Sequence, residues 1–408
     1  MMVEKVVNKL VSIETVKEAL SFLKEDNDNT TKDQIDITSI PAPTFQEQVR
    51  GEDFVRRFRE LGLENVHVDD VGNVIGTKVG TGTGPKLVVS AHLDTVFPEG
   101  TDVKPKLRDG KIYAPGISDD GRGLAVLLTL LRALNHSNIK TIGDLVFVAT
   151  VGEEGLGDLR GVKALFQERD DIDGFISIEP GEPNRTVYLG TGSRRYRVTY
   201  KGPGGHSFGN FGTPSAIHAL GRAIAKISEL ETPIQPRTTF NIGTIDGGTS
   251  VNTIAAQASM LVDIRSTSQE ELTKLEQKIL SVSQSAARDE NQRWNKDAIS
   301  VDLELVGDRP AGSQSAESLI VQASLAADVA LGYKPELCEP SSTDSNVPIS
   351  LGIPAVTLGG GGDLGGVHTL EEYFDPQDAY VGPQKILLTA LGLVGVEDET
   401  KPLLVKLK

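Results

Sequence analysis

Between residues 86 and 180, three short apolar runs each end on side chains able to hold a metal ion or move a proton. Leu87–Ala91 leads to His92 and Asp94, Asp144–Thr150 leads to Glu153 and Glu154, and Gly174–Ile178 leads to Glu179. Runs this short and this apolar fit strands buried on both faces. The mostly apolar Leu124–Leu134 between the first two suits a helix packed on the sheet. Strands alternating with helices make the sheet largely parallel. In such sheets ligand chemistry gathers at the carboxyl ends of the strands. His92 and Asp94 are two apart, so His92 can bind a metal while Asp94 holds its ring in one tautomer.

A chain of 408 residues exceeds one ordinary core, and two domains are expected. A net charge of −16 argues against nucleic acid or an anionic membrane as a partner. Cys338 is the one cysteine, which excludes an intrachain disulfide framework and fits a reducing compartment; a cytoplasmic location is expected. Any metal site must then rely on histidines and carboxylates. Val6–Leu23 mixes charges with apolar residues at helical spacing and reads as an amphipathic helix, not a signal peptide. No apolar window reaches the length of a membrane span.

Along the chain, Asp26–Lys32 reads as a polar loop and Phe45–Leu61 as a helix. Strands at Val66–Asp69 and Asn73–Thr77 join through a turn at Asp70-Val71-Gly72, with His67 facing solvent. From about Gly192 the pattern changes. Arg194–Tyr200 alternates polar residues with Tyr196, Val198 and Tyr200, as in an antiparallel sheet with one wet face. A helix at Pro214–Leu230, strands at Thr238–Ile245 and Ala256–Arg265, a helix at Gln269–Ala287 and a strand at Ser300–Val306 complete an α+β insert. The expected organisation is a catalytic α/β domain from residues 1–191 and 307–408, with helices on both faces of its sheet, interrupted by a smaller domain at 192–306. His136 reads as a helix-end residue and His218, inside a helix of the insert, as a packing residue.

The strand ends and neighbouring loops supply His92, Asp119, Glu153, Glu154, Glu179 and His368. Two divalent ions need about this set: an imidazole and a terminal carboxylate each, and one carboxylate shared. A further carboxylate must take a proton from water and pass it on. The Glu153-Glu154 pair, with Gly152 and Gly155 on either side, suits that division. Singly, each residue has a plainer reading: a solvated acidic loop, a strand-end acid, a surface histidine.

Ser90-Ala91-His92-Leu93-Asp94-Thr95-Val96, Gly116-Ile117-Ser118-Asp119-Asp120, Glu153-Glu154-Gly155 and Ile178-Glu179-Pro180 occur in that order. Gly204-Gly205-His206-Ser207, Gly247-Gly248-Thr249-Ser250-Val251-Asn252, Asp263-Ile264-Arg265 and Gly366-Val367-His368 follow. In these pieces the chain resembles the two-zinc exopeptidase and amidohydrolase family of carboxypeptidase G, peptidase T, aminoacylase and succinyl-diaminopimelate desuccinylase. The resemblance implies that His92, Asp119 and Glu179 hold one zinc, and Asp119, Glu154 and His368 the other. It implies Glu153 as general base, a cis bond between Asp119 and Asp120, and Asn252 and Arg265 on the substrate's carboxylate. It also implies an insert that acts as lid and dimerisation domain, from which His206 reaches the partner subunit's site. Gly121-Arg122 departs from the Lys-Gly of many members, and Ala255 stands where a proline often follows the asparagine.

The expected function is therefore a metallo-exopeptidase acting on a small peptide or N-acyl amino acid with a free carboxylate. Two divalent ions per chain are implied, zinc foremost, with cobalt or manganese as alternatives. Glu153, Asp94 and His206 are the expected catalytic residues, and a homodimer is the expected assembly. The alternative is an N-acyl-amino-acid deacylase or desuccinylase on the same machinery. A non-enzymatic relative would be expected to have lost some of the six residues His92, Asp119, Glu153, Glu154, Glu179 and His368, and all stand in this chain.

Overall fold

The structure, a computed structural model, describes residues 2–407. It divides into two compact units, one made of residues up to 190 together with those from 313 onward, the other Thr191–Gly312.

The first unit opens with four helices, α1 (Met2–Leu10), α2 (Glu14–Glu25), α3 (Asn27–Thr38) and α4 (Gln48–Glu60). The first two bury Val3, Val7 and Leu10, and Val16, Ala19 and Leu23, at helical spacing. Helix α3 replaces the polar loop expected at Asp26–Lys32. Its inward face is Thr30, Gln34, Ile37 and Thr38, so little apolar period marks it. Polar partners satisfy that face: the Gln34 amide donates to the Ile117 carbonyl at 2.7 Å, and buried Asp26 accepts from Thr129 at 2.8 Å and Arg132 at 2.7 Å. Helix α4 starts at Gln48, not at Phe45, whose φ of 74° lies outside the helical region.

Next come β1 (Glu64–Val68), β2 (Val74–Lys78), β3 (Lys86–His92), β4 (Lys106–Arg108), β5 (Lys111–Tyr113), α5 (Gly121–His136), β6 (Asp144–Thr150), α6 (Arg160–Glu168), β7 (Gly174–Glu179) and β8 (Arg185–Val187). The second unit contains β9 (Gly192–Lys201), β10 (Gly205–His206), α7 (Ala216–Ser228), β11 (Thr238–Gly247), β12 (Thr253–Ile254), β13 (Gln257–Ser266), α8 (Gln269–Trp294) and β14 (Ser300–Arg309). The first unit resumes with α9 (Leu319–Ala330), β15 (Glu336–Leu337), α10 (Asn346–Ser350), β16 (Ala355–Gly359), β17 (Asp363–Gly365), β18 (Tyr373–Asp375) and α11 (Val381–Val394).

The main sheet of the first unit has the order β1-β2-β6-β3-β7-β16-β8-β15. Its central strands β6, β3, β7 and β16 are mutually parallel. Leu87, Val89 and Ala91 share a core with α5 and α11 on one face, while Val88, Val146, Val148 and Phe175 pack with α6 and α10 on the other. Each fully buried leucine or phenylalanine contributes about 1.5–3 kcal/mol as an upper estimate. Register sets the site: His92 pairs with Thr150, and Ser90 with Ser177, so His92 and Glu179 reach the same level at the carboxyl edge.

A small sheet, ordered β17-β18-β5-β4, was not expected. Its strands are three residues long and β4 is exposed throughout, which leaves no alternation to recognise. Pairing of Tyr373 with Tyr113 and of Phe374 with Ile112 brings the segment after His368 beside the loop that leads to Asp119.

In the second unit the antiparallel sheet has the order β11-β13-β9-β14, with Tyr196, Val198 and Tyr200 packed against α7 and α8. This unit ends at Gly312 and not at residue 306, because β14 runs on to Arg309. Among the described residues no helix is long and apolar enough to cross a membrane.

Candidate active site

Strand β3 delivers buried His92 at its end. The Nδ1 of its ring lies 2.9 Å from the backbone carbonyl of Asp94, whereas the Asp94 carboxylate is 3.6 Å away. The carbonyl thus makes the hydrogen bond that orients the ring and leaves Nε2 pointing outward. The Asp94 carboxylate, which also faces the ring, has a further task. Its Oδ1 accepts the backbone N–H of Glu153 at 3.0 Å and its Oδ2 that of Glu154 at 3.0 Å. The Thr44 hydroxyl adds a third hydrogen bond at 2.9 Å. Burial pushes the Asp94 carboxyl up, but His92, the Glu154 amide and Thr44 together hold it below its usual value.

Asp119 stands between two imidazoles. His92 Nε2 lies 2.9 Å from its Oδ1 and His368 Nε2 3.1 Å from its Oδ2. The same His368 nitrogen is 3.0 Å from Glu154 Oε1. Burial opposes ionisation of Asp119, but His368 and His92 outweigh it and lower its pKa. Contacts with Asp119 and Glu154 push His368 up to about 10. His92 is raised as well: burial opposes its charge, and Asp119 and Asp94 override that. His368 itself has φ 65°, a backbone outlier at the site.

The peptide bond between Asp119 and Asp120 is cis. Asp120 caps α5, accepting from the Gly123 amide at 2.9 Å, and its other oxygen accepts the His92 amide at 3.0 Å. It therefore fastens the start of α5 to the end of β3. A Cβ at position 123 would lie 2.3 Å from the Asp120 carboxylate, so glycine is required there. Gly152, at φ 66°, turns the chain so that Glu153 and Glu154 follow as buried carboxylates.

Glu179 ends β7, and its buried Oε1 has no hydrogen-bond partner. Burial first, then the neighbouring charges of Glu153, Asp120 and Asp119, push its pKa well up. Donor atoms lie within 4.8 Å of one another in three sets: His92, Asp119 and Glu179; Asp119, Glu154 and His368; and His92, Glu153 and Glu154. An orphaned buried carboxylate oxygen beside convergent imidazoles fits divalent cations: it is the donor chemistry such ions take. The first two sets share Asp119.

Spacing gave no signal for Glu372. Its fully buried carboxylate accepts the amides of Gly116 at 2.9 Å, Ser118 at 2.7 Å and Asp119 at 3.0 Å. Burial pushes it up to about 7 against those three hydrogen bonds. Thr44 was equally hidden, since its partner Asp94 lies fifty residues away.

The other expected residues lie in the second unit. His206 is exposed on β10, and its Nδ1 accepts the amides of Phe208 at 3.2 Å and Gly209 at 3.1 Å. That acceptor role leaves the ring proton on Nε2. Asn252 neighbours it: its carbonyl accepts the Ser207 amide, and His206 pairs with Thr253. Arg265 is not beside Asn252. It stands eight residues along β13 from Gln257, roughly 27 Å at about 3.4 Å per residue. There it pairs with Asp263 at 2.7 Å. Among the remaining histidines, His67 is exposed and His136 ends α5, stacked on Phe22. His218 is exposed on α7, 3.6 Å from Glu290, and not packed as expected.

A largely parallel α/β sheet whose carboxyl edge gathers buried carboxylates and the buried His92 imidazole, with the half-exposed His368 reaching in from a turn, defines a metal-dependent hydrolase. The family model for Peptidase family M20/M25/M40 matches residues 88–391. The chain belongs to this family, and it is an enzyme that hydrolyses amide bonds. It is 28% identical over 353 residues to the uncharacterized protein YqjE of Bacillus subtilis, covering 83% of this chain and 91% of that one. It is 27% identical over 257 residues to a succinyl-diaminopimelate desuccinylase of Xanthomonas oryzae, covering 58% of this chain and 67% of the relative. Among solved structures, a tripeptidase from Staphylococcus aureus superposes with a TM-score of 0.75 at 25% identity, over 89% of this chain and 97% of that chain.

Proposed function

We propose that the protein is an exopeptidase that removes a residue from a small peptide bearing a free carboxylate. The observation that carries this is Asp119, whose two oxygens each face a different imidazole, with Glu179 on one side and Glu154 on the other. In this reading His92, Asp119 and Glu179 hold one divalent ion and Asp119, Glu154 and His368 a second, with zinc the preferred metal. When bound, the ions polarise the scissile carbonyl and make water more acidic. Glu153 takes a proton from the attacking water and returns it to the leaving nitrogen. Asp94 keeps Glu153 and Glu154 in place through their backbone amides.

The Nε2–H of His206 is the donor for the developing oxyanion, and Arg265, with its planar fork, grips the substrate carboxylate. Asn252 and Arg265 stand too far apart on one chain to grip the same carboxylate, which supports a site completed by a second copy. The free edge of β11 and the exposed Phe208, Phe211, Ile245 and Val251 support a homodimer through the insert. The single cysteine supports a reducing, cytoplasmic setting.

The similarity to the S. aureus tripeptidase favours peptides over N-acyl amino acids. The second reading, a deacylase or desuccinylase, draws on the Xanthomonas relative. A panel of di- and tripeptides and N-acyl amino acids, each free and carboxyl-amidated, assayed with zinc, cobalt and manganese, separates them. Turnover of free-carboxylate peptides is expected. Preference for N-succinyl or N-acyl amino acids would move the assignment to the second reading, and equal rates on amidated peptides would remove the carboxylate requirement.

A further inference from the structure

His368 and Asp119 come from segments about 250 residues apart, yet their side chains meet at 3.1 Å. Both hang from the same buried group. The Glu372 carboxylate receives three consecutive-loop amides, those of Gly116, Ser118 and Asp119 itself. Its own backbone carbonyl accepts the Ala114 amide at 3.1 Å, and the Ser118 hydroxyl donates to the next carbonyl, that of Tyr373. On the other side, Glu372 is joined to His368 by two successive tight turns. The Thr369 amide donates to the Gly366 carbonyl at 2.9 Å, and the Glu372 amide to the Thr369 carbonyl at 3.2 Å. These turns hold His368 in its φ 65° conformation.

We propose that Glu372 is a positioning residue whose carboxylate ties the loop presenting Asp119 to the turn presenting His368. The inference rests on the ligand assignment proposed above only for its consequence, not for the clamp. A carboxylate is suited to the task because it accepts on both oxygens at once and donates nothing. Its isostere glutamine would turn an N–H₂ toward at least one backbone N–H and leave that buried donor unpaired. The clamp reaches Asp119, common to both proposed ions, and His368, which serves one of them. Loosening it should therefore weaken one ion more than the other.

Two measurements on the full chain test this. In metal-free protein, hydrogen exchange at the amides of Gly116, Ser118 and Asp119 should be slow. It should accelerate in Glu372→Gln while the β3 core amides stay protected, and Glu372→Asp, which keeps the charge, should recover part of the protection. A cobalt(II) titration followed in the visible should show one of two equivalents weakened about 10–100-fold in Glu372→Gln and the other much less. Glu371→Gln, on the exposed neighbour, should change neither. Unchanged exchange, or equal weakening of both ions with a lowered Tm, overturns the proposal. If the wild type takes up no divalent ion, the ligand assignment falls and the exchange result alone decides the clamp, faster exchange supporting it and equal exchange refuting it.

Discussion

The Asp94 carboxylate holds the Glu153 amide on one oxygen and the Glu154 amide on the other, each at 3.0 Å. One buried side chain thus sets the backbone of two adjacent acids that are assigned different work. Asp94→Asn keeps the volume but points an N–H₂ at one of the two amides. Activity should drop about 10–100-fold with little change in KM. Steady-state kinetics on the best peptide substrate checks it, and an unaltered kcat would show that the loop is held by other means.

Metal dependence is the broadest expectation. Elemental analysis should find close to two divalent ions per chain, and dialysis against a chelator should abolish activity, restored by zinc. Full turnover by metal-free protein would remove the reading of the whole centre.

Glu153 and Glu154 should separate cleanly. Glu153→Gln should keep both ions and lose turnover by several orders of magnitude, since a carboxamide cannot accept the water proton. Glu154→Gln should loosen one ion first, because Glu154 contacts His368. The reverse pattern would exchange their roles.

Completion of the site by a second copy predicts complementation. Mixed His206→Ala and Glu153→Gln chains, each nearly inactive alone, should regain about a quarter of wild-type activity: half the dimers, one working site of two. Confirmed exchange without recovery would place His206 outside the partner's site.

Away from the centre, Lys385 and Asp328 form a fully buried ion pair at 2.9 Å. Lys385→Met alone should destabilise the protein by about 3–5 kcal/mol, whereas Lys385→Met with Asp328→Leu should be nearly neutral or stabilising. Burial first, against the pull of Lys385, pushes Asp328 from 3.8 to about 6. The folded state then holds this proton more tightly than the unfolded chain. Stability from this group is complete below the ordinary value and is lost as pH rises through about 6. Thermal melts across that range should show the decline in the wild type and a shallower one in the double variant.

Much of this was legible locally. A strand buried on both faces must be apolar at every position, so β3, β6 and β7 announced themselves as unbroken runs. Because parallel sheets present their strand ends together, the ends of these runs by themselves group His92, Glu153, Glu154 and Glu179. Burial through polar contacts carries no such period. The inward face of α3 uses Thr30 and Gln34, and so its sequence has the look of a polar loop. Which oxygen of Asp94 meets which amide, why Glu372 rather than Glu371 turns inward, and how far Arg265 stands from Asn252 depend on hydrogen bonds and strand pairings between distant segments. Periodicity reports only the environment of a residue's near neighbours along the chain. The partners that orient a reactive group come from segments up to 256 residues away, as Gly116 and Glu372 do, and only tertiary folding brings them together.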